Sequence, residues 1–177
     1  MFQKILVAID HSELGQRVFD EALTLAKANS SSLMLLNVLS PEDEASPSTP
    51  ALINHEFCSV GSSGRVVEIY QELCESNAKR ELERVQSLTE QAIAAGIEAT
   101  FHQALGTPGR IICELARELD VDLIILGRRG RSGLNEWLLG SVSNYVLHHA
   151  PCSVLTVQAQ AQSNVSVHQE QQTALMS

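Results

Sequence analysis

Close to its start the chain contains the stretch Ile5-Leu-Val-Ala-Ile-Asp10, a continuous apolar run that ends in an acidic residue. A run of this kind, with no polar residue alternating through it, is typical of a strand buried on both faces of a parallel sheet. Ser12 follows and suits the N-cap of a helix, whose apolar face would contain Leu14, Val18, Ala22, Leu25 and Ala26. A buried strand followed at once by an amphipathic helix predicts a βαβ unit and hence an α/β fold.

The same alternation of strand and helix patterns continues along the chain. Further strands are predicted at 33–39, 97–102, 121–126 and 153–157. The strand at 97–102 alternates apolar with polar residues, which indicates one solvent-exposed face, so we place it at a sheet edge. Helices are predicted at about 65–95, ended by Gly96, and from Thr107-Pro108 onwards, with Pro108 in the first turn.

The length of 177 residues fits one domain, which we assign to residues 1–157. Within it, residues 40–64 are rich in Ser and Pro and predict a long, mobile loop. The Gln- and Ser-rich residues 158–177 predict a disordered C-terminal tail. The formal net charge of −9 gives no general attraction for nucleic acid or anionic membranes, so neither is expected as a partner.

The sequence predicts a cytoplasmic protein. No signal peptide precedes Ile5, and no apolar stretch has the length of a membrane span. The four cysteines, Cys58, Cys74, Cys113 and Cys152, form no CxxC pair and no metal-binding spacing. We interpret them as buried or idle thiols of a reducing compartment, with a redox sensor as the alternative.

A segment rich in glycine and arginine follows the fourth predicted strand. It reads Gly127-Arg-Arg-Gly-Arg-Ser-Gly133, and a further helix begins near Gly140-Ser-Val-Ser143. Glycines let backbone N–H groups approach an anion, and a helix N-terminus adds unpaired N–H groups. The segment therefore predicts a phosphate site, with a ligand-free surface turn as the alternative. It is neither a GxxxxGK[ST] loop nor a GxGxxG dinucleotide fingerprint.

Four separated blocks make the chain resemble the universal stress proteins, and in particular their ATP-binding subgroup. Gly127, Gly130 and Gly140-Ser141 match the family's G-x2-G-x9-G-[S/T] signature. The blocks at 5–12, 122–127 and 149–157 are similar to the family's first, fourth and fifth strands with their flanks. The resemblance implies an adenine-nucleotide alpha hydrolase-like fold, an open five-stranded parallel sheet of order 3-2-1-4-5 with helices on both faces.

That strand order makes the first and fourth strands neighbours. Ligands of such sheets bind outside the carboxyl ends of the strands, at the point where the winding direction switches. Asp10 and Gly127 are predicted to end these two strands, so the two candidate segments should meet there. By the resemblance, ATP, with Mg²⁺ or replaced by another adenine nucleotide, would bind in that crevice.

The resemblance also implies roles for single residues. Ala8 and Ile9 would line the adenine pocket, Asp10 would lie near the ribose and the divalent ion, and Val38 would meet the adenine through its backbone. The other implied residues border the nucleotide or contact its phosphates, and they are Leu126, Gly127, Arg128, Gly130, Arg131, Gly140, Ser141, Val142 and Ser143. Alternatively, Asp10 and Ser141 are only helix caps, and Val38 and Leu126 only core residues.

The function implied by the resemblance is that of a regulatory ATP-binding protein of the stress response, with slow or no hydrolysis. The candidate for a catalytic base is His11, beside Asp10. The apolar fifth strand, Val154-Leu-Thr-Val157, would lie at a sheet edge and predicts a homodimer, which the family commonly forms there. The alternative is an interaction protein of the same fold that binds no nucleotide.

Overall fold

The computed structural model describes residues 1–40, 63–128 and 140–158. Within these residues strands and helices alternate in the order β1 Lys4–Ala8, α1 Glu13–Asn29, β2 Ser32–Leu39, α2 Ser63–Ala94, β3 Ala99–Leu105, α3 Pro108–Glu118, β4 Leu123–Arg128, α4 Ser141–His149 and β5 Ser153–Gln158. The five strands form one sheet of order β3-β2-β1-β4-β5, and neighbouring strands are parallel. The predicted fold is confirmed, and so is the position of the third strand at an edge.

The sheet carries one apolar cluster on each face, which is why its central strands are apolar throughout. Side chains alternate between the two faces along a strand. In β1, Ile5 and Val7 pack in the cluster that includes the buried faces of α1 and α2, whereas Leu6 packs in the cluster that includes α3 and α4. The continuous apolar run that predicted a central strand thus reflects burial from both sides.

The fourth strand was predicted at 121–126. In the structure it begins at Leu123 and continues to Arg128. Just before the strand, the carboxylate of Asp122 accepts hydrogen bonds from the backbone N–H groups of Gln3 (2.7 Å) and Lys4 (2.9 Å). These bonds lower the pKa of Asp122 and fix the start of β1. Because β4 continues to Arg128, Gly127 lies inside the strand, and the prediction that Gly127 ends it is wrong.

The predicted helix ends are largely those of the structure. Ser12 caps α1, where its Oγ accepts from the N–H of Gly15 at 3.2 Å. Gly96 follows α2 with a φ of +82°, a conformation that favours glycine. Pro108 opens α3 as predicted, but the side chain of Thr107 makes no capping hydrogen bond.

Some predictions fall on residues that the structure does not describe. Most of the predicted loop, 41–62, and nearly all of the predicted tail, 159–177, lie outside the described residues. At their borders, Ser63 already belongs to α2 and Gln158 still belongs to β5. Among the helices that are described, none combines the length and the apolarity needed to cross a membrane.

Candidate functional site

The first part of the site is the Asp10 turn, residues 9–12, which joins β1 to α1. Asp10 Oδ1 accepts hydrogen bonds from the backbone N–H of Ser12 (3.1 Å) and from the Ser12 hydroxyl. An acidic side chain that bonds the backbone two residues ahead closes a local turn. Asp10 thus shapes the turn, while the helix cap itself is Ser12.

The Asp10 turn also packs tightly against α1. A Cβ atom at Gly15 would lie 2.2 Å from the carbonyl oxygen of Asp10 and 2.8 Å from its Oδ1. Only glycine therefore allows α1 to approach the turn this closely. The side chain of His11 lies exposed on the same turn.

Two side chains from distant elements hold carbonyl oxygens of the Asp10 turn. Arg84 of α2 donates from Nη1 to the Asp10 carbonyl at 2.8 Å and from Nη2 to the Ser12 carbonyl at 3.5 Å. Asn37 of β2 donates from Nδ2 to the Ile9 carbonyl at 3.3 Å. Neither residue was predicted to belong to the site. Asn37 carried a signal, as a polar residue inside the apolar run of β2, whereas Arg84 carried none on its helix.

The second part of the site is the first turn of α4. Gly140 is the N-cap of this helix and makes no side-chain capping bond. The first N–H groups of a helix have no acceptor within the helix, and they carry the positive end of its dipole. Ser141 is exposed at this end. Ser143 is buried, and its hydroxyl donates to the Gly140 carbonyl at 3.0 Å, so its proton is used inside the helix rather than offered to a ligand.

Two glycines of the predicted phosphate segment have different surroundings. A Cβ atom at Gly127 would lie 2.9 Å from Leu14 Cδ2, so the packing of α1 on β4 favours glycine there. A Cβ atom at Gly140 would meet Ser143 Oγ at 3.6 Å, an ordinary contact, and the φ of Gly140 is −56°. No contact in the described part of the chain requires glycine at position 140, although glycine is also a favourable N-cap residue.

The apolar residues predicted around the nucleotide lie on two faces of the sheet. Ala8, Val38, Leu126 and Val142 belong to the apolar cluster of the α3 and α4 face. Ile9 belongs to the opposite cluster, so its side chain does not share a surface with the other four. Ala8 and Leu126 are register partners on the adjacent strands β1 and β4.

The arginines of the predicted phosphate site are only partly described. Arg128 is half-buried at the end of β4. Gly130 and Arg131 lie outside the described residues.

The described residues contain no cluster of three or more His, Cys, Asp or Glu side chains that could hold a metal ion. Asp10 alone fits a more limited role, because Mg²⁺ is commonly held by one or two carboxylates together with substrate phosphates and water. The redox alternative finds little support. Burial raises the pKa of Cys113 and of Cys152, which lowers their thiolate fraction and hence their reactivity.

The sequence profile of the universal stress protein family matches residues 1–158. This chain belongs to the universal stress protein family. It is 38% identical over 157 residues to universal stress protein Sll1388 of Synechocystis sp., an alignment that covers 89% of this chain and 98% of that protein.

Solved structures of the family share the fold of this member. The structure of universal stress protein UspA from Lactobacillus plantarum is 25% identical, with a TM-score of 0.66, and the match covers 88% of this chain and 97% of that one. A universal stress protein solved in complex with cAMP is 24% identical, with a TM-score of 0.57, over 89% of this chain and 97% of that one.

Proposed function

We propose that this universal stress protein binds ATP together with Mg²⁺ between the Asp10 turn and the first turn of α4, and that it acts as a regulatory nucleotide-binding protein of the stress response. The observation that carries the proposal is Gly140. It is the N-cap of α4, and no contact among the described residues would prevent a side chain at this position.

A bound phosphate accounts for Gly140. Unpaired N–H groups at a helix N-terminus attract anions, and a residue without a side chain allows the anion to approach the backbone. Ser141 supports this role, because its hydroxyl is exposed on the same turn. Arg128, at the end of the neighbouring β4, adds a positive charge that suits the phosphates.

The apolar surface at the same sheet edge suits the adenine. Ala8 and Val38 are half-buried and belong with Leu126 to one cluster. An adenine ring against these side chains would be removed from water, which is favourable. The cAMP held by a protein of the same family supports adenine as the base. In the bound state, Asp10 would face the ribose or a Mg²⁺ ion that the phosphates also hold.

We expect slow or no ATP hydrolysis. Among the described residues near the site, His11 is the candidate base, and its side chain is exposed rather than buried in a closed site. The test is a steady-state phosphate-release assay of the parent and of His11→Ala. Fast turnover that is lost in His11→Ala would make the protein an enzyme.

We further propose a homodimer that pairs through β5. This strand lies at one edge of the sheet, and the side chain of Leu155 is 37% exposed on it. An exposed apolar edge strand favours pairing with a second copy. Sedimentation should show a dimer at micromolar concentration for the parent and a monomer for Leu155→Lys. A monomeric parent would contradict the proposal.

The test of the proposed function starts with the purified protein. Nucleotide released by denaturation is identified by chromatography and mass spectrometry, and stripped protein is titrated calorimetrically with ATP, with and without Mg²⁺. Adenine nucleotide in the release, or saturable binding of ATP, would support the proposal. Folded protein that neither carries nor binds a nucleotide would favour the alternative, an interaction protein of the same fold.

A further inference from the structure

The carbonyl oxygens of the Asp10 turn are held by a bridge from α2. The Arg84 guanidinium donates to the carbonyl oxygens of Asp10 (2.8 Å) and Ser12 (3.5 Å), so one planar group spans the turn. Hydrogen bonds from a charged donor are stronger than those between neutral groups. The ion pairs Lys79–Glu83 and Arg110–Glu114 do not involve Arg84.

A second bridge reaches the same turn from α2 by way of the sheet. Gln103 of β3 donates from Nε2 to the carbonyl oxygen of Ala78 on α2 (3.2 Å) and to Oδ1 of Asn37 on β2 (3.0 Å). Asn37 donates in turn to the carbonyl oxygen of Ile9 at 3.3 Å. Asn37 is only 6% exposed, and a buried polar network that is satisfied in this way favours one geometry.

The two bridges act on consecutive carbonyl groups, those of Ile9 and Asp10. Both begin on α2, which contributes the Arg84 side chain to one and the Ala78 carbonyl to the other. The shape of the Asp10 turn therefore depends on the position of α2. The bonds between Asp10 and Ser12 are local to the turn and do not supply this dependence.

We propose that Arg84 is a positioning residue, which holds the Asp10 turn in the shape that binds nucleotide and so couples the docking of α2 to nucleotide affinity. The inference rests on the proposed function, because it assumes that Asp10 faces the nucleotide. When only a fraction of the molecules has a competent turn, the measured Kd rises in inverse proportion to that fraction. By linkage, bound nucleotide must stabilise the docked α2 to the same extent.

The first arm of the test is calorimetry with ATP and with adenosine on Arg84→Gln and Arg84→Lys. We expect the Kd of both ligands to rise about tenfold in both variants, which corresponds to a competent fraction of about one tenth. Lysine keeps the charge but cannot span both carbonyl groups with one planar fork. The matched control is Arg80→Gln, because Arg80 bonds Asn77 on the exposed side of the same helix.

Charge attraction predicts a different pattern from positioning. If Arg84 acts by attracting phosphates, Arg84→Lys keeps the affinity of the parent and adenosine binding is unchanged. That result would overturn the role as a positioning residue.

The second arm needs no ligand. Hydrogen exchange of the ligand-free protein is followed at two amides. The Ser12 amide donates to Asp10 Oδ1 within the turn, and the Gly15 amide donates to Ser12 Oγ in the helix cap. Arg84→Gln should lose protection there, and Arg80→Gln should not. Unchanged exchange in Arg84→Gln would overturn the inference. If Arg84→Gln does not fold, Gln103→Met, which cuts the second bridge, should give the same pattern.

The two arms separate this inference from the proposed function. A parent that binds neither ATP nor adenosine overturns the proposed function and the coupling together, while hydrogen exchange still reports whether Arg84 holds the turn. A parent that binds ATP no better than Arg84→Gln overturns the coupling alone.

Discussion

Gly127 in β4 and Gly140 before α4 belong to one spacing signature, yet the structure gives them different reasons to be glycine. At Gly127 a Cβ atom would lie 2.9 Å from Leu14 Cδ2, so a side chain there would force Leu14 to shift. At Gly140, within the described residues, a Cβ atom would have only an ordinary contact, at 3.6 Å from Ser143 Oγ. Gly127 is thus favoured by the packing of the fold, whereas we attribute Gly140 to a bound ligand.

The difference shows that membership of a motif does not by itself assign a residue to a ligand. A glycine that the fold requires says little about a phosphate, whereas a glycine without a structural reason at a helix N-terminus indicates one. Substitutions at the two positions should therefore separate stability from binding. The predictions below use that separation.

The largest expected effect is the loss of ATP binding in Gly140→Val. The branched side chain would cover the N–H groups of the first turn of α4, and we expect the Kd for ATP to rise at least about a hundredfold. Valine is a poorer N-cap than glycine, so the free energy of unfolding should fall by about 1 kcal/mol or less. Calorimetry and urea denaturation measure the two quantities. Binding like that of the parent would show that the phosphate site lies elsewhere.

Ser141→Ala should have the next largest effect on binding. Removing the exposed hydroxyl deletes one hydrogen bond to a charged phosphate, which is worth about 1.5–3 kcal/mol. We expect a weaker effect than in Gly140→Val and no loss for adenosine, which has no phosphate. Calorimetry with both ligands tests this. Equal losses for ATP and adenosine would contradict a contact between Ser141 and phosphate.

Gly127→Ala should reduce stability instead. The added methyl group overlaps Leu14, and overpacking of this kind typically costs about 1–3 kcal/mol. The folded fraction should keep the affinity of the parent for ATP. Urea denaturation, followed by calorimetry well below the midpoint, separates the two effects. Unchanged stability together with lost ATP binding would reverse the roles assigned to the two glycines.

The smallest expected effect is on the stability of Gly140→Ser. Serine is a slightly better N-cap than glycine, so the free energy of unfolding should rise by a few tenths of a kcal/mol. The same hydroxyl would occupy the N–H groups that the phosphate needs, so ATP should bind more weakly. Thermal denaturation would then show a higher melting temperature, while calorimetry would show a lower affinity for ATP. Tighter ATP binding in this variant would contradict the proposed site.

Much of the fold could be predicted because its signals are local. The apolar run at 5–9 indicated a central strand, and the polar alternation at 97–102 indicated an edge strand. The bonds of the Asp122 carboxylate, just before β4, could not be predicted, because their partners Gln3 and Lys4 lie far away in sequence.

The site was less predictable than the fold, because much of it is built by distant contacts. Arg84 bonds Asp10, from which it is separated by 74 positions, and nothing in the pattern of α2 distinguishes it from the other arginines. The opposite orientation of Ile9 could have been predicted, because Ile9 directly follows β1 and side chains alternate between the two faces along an extended chain.

The most direct test of the central claim is to follow the backbone amide resonances of Ser141 and Val142 during titration with ATP and with adenosine. If the first turn of α4 holds the phosphates, these amides shift strongly with ATP and only slightly with adenosine, while Gly140→Val abolishes the shifts. Amide resonances at this turn that stay unmoved at saturating ATP would contradict the account.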